Sequence, residues 1–313
     1  SVTVGSETSP VNGAITTHGD RSYGILAQSV GGGGGAGGSA ISGALMGPAA
    51  ISMGFGGDGG TGGLGDAVDV ANAGSINTRG EQSHGIFAQS VGGGGGDGGL
   101  SIAGGVTAFG GLSLAMGGDG GGGNHAGDVS VLNSGDVATR GEYAYGILAQ
   151  SVGGGGGTGG SSGSVMVNFS SLVPIPEPYP TGSVNISASL GGEGGEGGLA
   201  GIVDVDNTGG ILTAGDHAYG IFAQSVGGGG GDGGKAVAAT ANISMPEGID
   251  SSDTAAQSKQ VSVEVDFAMA LGGNGADGNN GDEVDVFNSG AIDTAGVGAH
   301  GIFAQSVGGG GGS

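Results

Sequence analysis

Residues 23–35 read YGILAQSVGGGGG, and the phrase returns four times: HGIFAQSVGGGGG at 84–96, YGILAQSVGGGGG at 145–157, YGIFAQSVGGGGG at 219–231 and HGIFAQSVGGGGG at 300–312. Its glutamines, Gln28, Gln89, Gln150, Gln224 and Gln305, are spaced by 61, 61, 74 and 81 residues. The interval from Gly56 to Gln89 is 33 residues, and the same interval separates Gly117 from Gln150, Gly191 from Gln224 and Gly272 from Gln305. The length differences therefore lie between the two glycine-rich blocks: 17 residues at 39–55 and at 100–116, 30 at 161–190 and 37 at 235–271. A fixed block joined to a variable one is the mark of stacked repeat units with loops on one side. The chain reads as a single repeat array over 1–313.

The fixed block carries three short strand signals. The alternation of Val68 and Val70 about Asp69 recurs as Val-x-Val at Val129, Val131, at Val203, Val205 and at Val284, Val286. An Asn-x-Gly step follows, led by Asn72, Asn133, Asn207 and Asn288; both residue types suit corners with positive φ. Next come Ile76-x-Thr78 and its counterparts, and then the phrase itself, whose isoleucines are Ile25, Ile86, Ile147, Ile221 and Ile302. Alternation places Ile25, Ala27 and Ser29 on one face and Leu26, Gln28 and Val30 on the other. The second face also carries apolar groups, so glycine runs or another molecule are expected to cover it.

Three strands in about 22 residues match one rung of a three-sided parallel β-helix, so a 61-residue repeat has room for two or three rungs. The variable block reads as two further strands, with loops about 171–181 and 246–260 inserted in the third and fourth copies. The fold class expected is all-β, a parallel β-helix-like solenoid. The glycine runs hold one register after each apolar strand, so ordered, closely approaching polyglycine is expected and not a linker.

Composition narrows the function. With 28 acidic against 5 basic residues, the net charge is −23. No nucleic-acid partner is expected, since such partners need a basic footprint. The chain has no cysteine, so it has neither disulfides nor thiolate metal sites. The uncharged stretch 98–118 is rich in Gly and Ser and alternates as strands do, so no membrane insertion by this segment is expected. Residues 1–20 show no signal peptide, and the chain reads as a mature piece or an excerpt whose end coils lack caps.

The GIxAQSxGGGGG phrase preceded by N-x-G-x-I-x-T-x-G resembles the passenger regions of bacterial autotransporters, over essentially the whole chain. The resemblance implies export, a right-handed β-helix displayed at the outer-membrane surface of a Gram-negative cell, a C-terminal translocator barrel, and roles in adhesion, aggregation or biofilm. The expected partners are a cell-surface or matrix ligand, or further copies of the chain. A self-assembling extracellular filament is the alternative, in which the outward Leu and Phe of the phrase bury lateral contacts.

No catalytic residues are expected. Gly159-Gly160-Ser161-Ser162-Gly163 matches G-x-S-x-G, but without a strand–turn–helix context. His84 and His300 occupy the slot that is Tyr23, Tyr145 and Tyr219 elsewhere, so a planar packing role accounts for all five. No cofactor is expected. A calcium β-roll is the weaker alternative, with Asp66, Asp128 and Asp282 as the carboxylates nearest the glycine-aspartate signature.

Overall fold

A computed structural model describes residues 1–47, 49–169, 182–243 and 263–313. The first coil runs through β1 (Val2–Val4), β2 (Ile15–His18), β3 (Ile25–Val30), β4 (Ala40–Gly47) and β5 (Ala50–Phe55). The second runs through β6 (Val68–Asn72), β7 (Ile76–Arg79), β8 (Ile86–Val91), β9 (Ser101–Thr107) and β10 (Gly110–Met116). The third holds β11 (Val129–Asn133), β12 (Val137–Arg140), β13 (Ile147–Val152), β14 (Ser162–Asn168) and β15 (Gly182–Leu190). The fourth holds β16 (Val203–Asn207), β17 (Ile211–Ala214), β18 (Ile221–Val226), β19 (Ala236–Asn242) and β20 (Val263–Leu271). β21 (Val284–Asn288), β22 (Ile292–Ala295) and β23 (Ile302–Val307) open the fifth.

Every strand pairs in parallel with its counterpart one coil away, building five sheets of four or five strands. The chain is an all-β parallel solenoid. One repeat makes one coil: Gln28 pairs with Gln89, Gln89 with Gln150, Gln150 with Gln224 and Gln224 with Gln305. This corrects the expectation of two or three rungs per repeat. The three fixed-block strands form three sides of one end of the coil, and the other residues extend that coil sideways without starting a new turn.

The fixed block also accepts an insertion that its later copies hide. Val2 pairs with Val68 and Ile15 with Ile76, so 13 positions in the first coil match 8 in the second. The five extra residues bulge out beside a Ser6–Ser9 bridge, and Val11 rejoins the stack against Asn72.

The three-sided end holds the apolar core. Columns of Val68, Val129 and Val203, of Val70, Val131 and Val205, of Ile76, Val137 and Ile211, and of Ile86, Ile147 and Ile221 are buried one above another. Each coil thus buries four β-branched side chains, each contributing about 1.5–3 kcal/mol. β-Branched residues suit this place because their χ1 is already restricted on a pleated surface.

The turn between the second and third strand holds the left-handed residues that are not glycine. Arg21, Gln82, Tyr143 and His217 have φ of 54–55°, and Gly298 takes the same slot at 68°. The Asn-x-Gly corners do not use positive φ. Asn72, Asn133 and Asn207 are buried, and their side chains bond along the stack.

Beyond the phrase strand the chain runs out through a glycine-rich segment, turns through two strands, and returns through a second one. The outgoing and returning segments are antiparallel, and their bonding repeats every three residues. Gly57, Gly60 and Gly63 donate to Gly38, Gly35 and Gly32 of the same coil at 2.6–2.8 Å. Gly93, Gly96 and Gly99 donate to Gly63, Gly60 and Gly57 of the coil before, each at 2.8 Å. Gly92, Gly95 and Gly98 instead donate to Val152, Gly155 and Thr158 of the coil after, each at 2.8 Å. Three residues per turn with no bonds within a strand is the polyproline II conformation. The glycine runs are therefore two stacked layers of such helices, as the expectation of ordered polyglycine required. None of these glycines needs a positive φ; what the packing needs is the missing Cβ. A Cβ on Gly93 would sit 2.0 Å from the Gly32 carbonyl oxygen.

Candidate interaction surface

Stacking identical residues at one-strand spacing turns single side chains into columns, and these columns supply most of the polar chemistry of the chain. Asn72 Nδ2 donates to its own Gly74 carbonyl and to Asn133 Oδ1, both at 2.8 Å; Asn133 reaches Asn207, and Asn207 reaches Asn288, both at 2.7 Å. The phrase glutamines form a second ladder on the outer face, from Gln28 through Gln89, Gln150 and Gln224 to Gln305, at 2.5, 2.7, 2.7 and 2.9 Å. The phrase serines lace the seam between coils. Ser90 Oγ donates to the Asp66 carbonyl and accepts from the Gly127 N–H, and Ser151 repeats this with Gly127 and Gly201.

Tyr23, His84, Tyr145, Tyr219 and His300 form one column with ring centroids 4.9–5.4 Å apart. The planar packing role holds for both histidines. This column packs against the Phe position on the second face of the phrase: Phe87 lies against Tyr23 and His84, and Phe222 and Phe303 against Tyr219. Leu148 is buried there, whereas Leu26 and Val30 stay exposed.

Burial lowers the His84 pKa from 6.5 to about 4, and its Nδ1 accepts the Tyr145 N–H at 3.0 Å, so the folded chain holds it neutral. The unfolded state then takes up the proton first as pH falls. Stability from this residue is full above about pH 6.5 and declines as pH drops toward 4, with a loss of about 2 kcal/mol by pH 5. Urea denaturation of the wild type at pH 7 and pH 5, set beside His84→Tyr, checks this. The variant, which puts the tyrosine of three other coils in the slot, is expected to lose most of the pH difference.

Several carboxylates, among them Asp58, Asp97, Glu193 and Asp232, sit at the remaining third of the polyglycine positions, the ones that point outward. Asp97 on the outgoing layer accepts from the Thr158 N–H and hydroxyl, and Asp232 from those of Ser313. These bonds hold both carboxyls below the ordinary range. On the three-sided end, burial first and then the neighbouring Asp285 and Asp206 raise Asp204. A shallow cleft on the returning layer is lined by Glu193, Glu196, Asn274 and Asp277.

The three aspartates of the calcium reading do not meet. Asp66 and Asp282 share one column three coils apart, about 14 Å at the strand spacing, while Asp128 stands one residue over in the neighbouring column. Asp66 faces the N-terminal amine at 3.0 Å, Asp128 accepts the Ile202 N–H, and Asp282 accepts the Glu283 N–H. Among the described residues, no group of three or more His, Asp or Glu side chains is placed to hold a metal ion.

The far end of the coil is a two-sheet sandwich, and its polarity is inverted. Met166 apart, its inner faces are small and mostly polar: Ser52, Ser113 and Ser187 stack in one column, and Ser42 and Ser164 bond across to Ser52 and Ser187 at 2.8 Å. Asn185 donates to Asn242 and Asp266, and Asn242 also donates to Asp266. Several inner atoms have no protein partner, among them the hydroxyls of Ser101, Ser113, Ser162 and Ser183 and the Asn168 amide.

The large side chains stand on the outside. On the sheet β5-β10-β15-β20 they form three columns: Ile51, Leu112, Ile186, Phe267; Met53, Leu114, Ala188, Met269; and Phe55, Met116, Leu190, Leu271. The opposite sheet is sparser, with Gly43, Gly104 and Gly163 among its outward positions. Sequence reading placed both strands but missed this surface. Its signal is plain in Leu112-Ser113-Leu114-Ala115-Met116: strict alternation shows two faces, but not which one is inside.

The expected loops at about 171–181 and 246–260 fall within residues 170–181 and 244–262, outside the described residues. Among the described residues, no helix is long and apolar enough to cross a membrane. No protein-family model matches the chain, and neither a curated protein nor a solved structure matches it.

Proposed function

We propose that the chain is an extracellular structural and adhesive repeat protein of a bacterial surface, an autotransporter-like passenger. The observation that carries this reading is where the coils differ. Strand pairing keeps the three-sided end and the polyglycine layers in register through coils two to four, while the added residues of coils three and four enter at one place, between β14 and β15 and between β19 and β20. Conserving a scaffold while varying one edge is how repeat proteins present contacts. The net charge of −23 supports solubility outside the cell.

Antibody labelling of intact cells tests the display. Surface label that protease shaving removes is expected, and replacing residues 246–260 by a Gly-Ser linker is expected to lower attachment without lowering the label. Label that appears only after permeabilisation would sink the reading.

A further inference from the structure

We propose that the outer face of the sheet β5-β10-β15-β20 is a docking surface for a second copy of this chain, packed face to face about a twofold axis. The sandwich behind this face is inverted. Apart from the buried Met166 its interior is Ser, Thr, Ala, Gly and Asn, so closing the two sheets removes little apolar surface from water. The large apolar groups lie on the outside instead, and a sheet stabilises itself by covering that face.

Area favours a second copy as the cover. Ten side chains of this face, from Ile51 to Leu271, are 37–67% exposed. At about 200 Å² for a free side chain of that size, they present on the order of 1,000 Å² per copy, against about 800 Å² per partner in a standard interface. Monomeric proteins rarely leave so large a contiguous patch open.

Charge favours it as well. On a chain of net charge −23, the three apolar columns hold no ionisable side chain, and the acids of this sheet, Glu264 and Asp266, alternate onto its inner face. Two copies can therefore meet here without setting carboxylate against carboxylate. The opposite sheet exposes five such side chains, Ile41, Leu45, Ile102, Val165 and Val237, against ten here, and Gly43, Gly104 and Gly163 break its columns, so it offers the smaller contact. That asymmetry points to an isologous pair, in which the same patch serves both partners. Such pairing needs no particular cellular location.

Sedimentation velocity of the full chain, up to about 100 μM, is the test. A species of twice 28.7 kDa is expected, reverting to 28.7 kDa in the double variant Leu112→Glu, Ile186→Glu and persisting in Ile102→Glu on the opposite sheet. Circular dichroism establishes that the variants are folded. Should the double variant not fold, spin labels decide on an otherwise unaltered surface, since the chain has no cysteine. Ala188→Cys is expected to give a short distance between copies and Gly163→Cys a long one. A chain that stays monomeric overturns the proposal, including one that floats with phosphatidylcholine vesicles. So does a dimer in which the Gly163 labels are the close pair.

Discussion

Gly154→Ala is expected to abolish the native stack, while Gly155→Ala, one residue on, is expected to stabilise it slightly. At Gly154 an added Cβ would lie 2.0 Å from the Gly93 carbonyl oxygen and 2.6 Å from its carbon. The obstacle is backbone, held in turn by the Asn124 N–H at 2.9 Å, so no side chain can swing aside. Relief requires parting the two layers and breaking bonds to Asn124 and Gly198 as well. Overpacking alone costs about 1–3 kcal/mol, and the lost backbone bonds raise the total above about 4 kcal/mol. At Gly155 the nearest atom to a new Cβ is the Gly229 oxygen at 3.8 Å, an ordinary contact. Alanine suits the polyproline II region and removes unfolded-state freedom, so a gain of about 0.4–1 kcal/mol is expected. Thermal unfolding followed by circular dichroism separates the two. Equal midpoints would mean that the glycine layers do not pack as described.

The second large effect is expected at Asn133. Its side chain is fully buried; it donates to the Gly135 carbonyl and to Asn207, and accepts from Asn72. Asn133→Ala removes all three bonds and strands buried groups above and below it, each costing about 1–3 kcal/mol. A loss of about 3–5 kcal/mol in urea denaturation is expected. Gln150→Ala, in the outer ladder where water can replace its partners, is expected to lose about 1 kcal/mol. If the two losses are alike, the asparagine column is not the internal brace that its burial implies.

These two sites show what could be read from the residues alone. Period-two alternation in Ile25 to Val30 placed the phrase strand and its inward Ile and Ala, because a pleated strand leaves no other choice. The planar slot of Tyr23, His84 and Tyr145 was readable for the same reason: an exact repeat stacks like on like. Asn72 carried a false cue. Asn before Gly implies a positive-φ corner, yet a repeated Asn can also bond to its own copies, and only the stacking geometry decides between these. The coil count failed because ordinary three-sided rungs close after about 22 residues, and nothing local says that the chain will run sideways first. The threefold rule was present in Gly56-Gly57-Asp58-Gly59-Gly60-Thr61-Gly62-Gly63-Leu64, where every third residue is free to be something else. The inverted sandwich was the least legible feature, since the habit of placing large apolar residues inside gives the wrong face.

The one-coil repeat has a mechanical consequence. Each coil spends 61 to 81 residues to advance one strand spacing, about 4.8 Å, where a simple three-sided helix spends about 22. Reach is thus given up for breadth, and the array grows as a blade with broad flanks and not as a thread. Tension along the blade's axis loads all five sheets and both glycine layers in parallel, so rupture needs a whole coil's bonds to fail together. A tug at the variable edge concentrates the load on one pair of strands, which can peel in sequence. Such a body holds firm when stretched lengthwise and yields, one strand at a time, to a load applied at its rim.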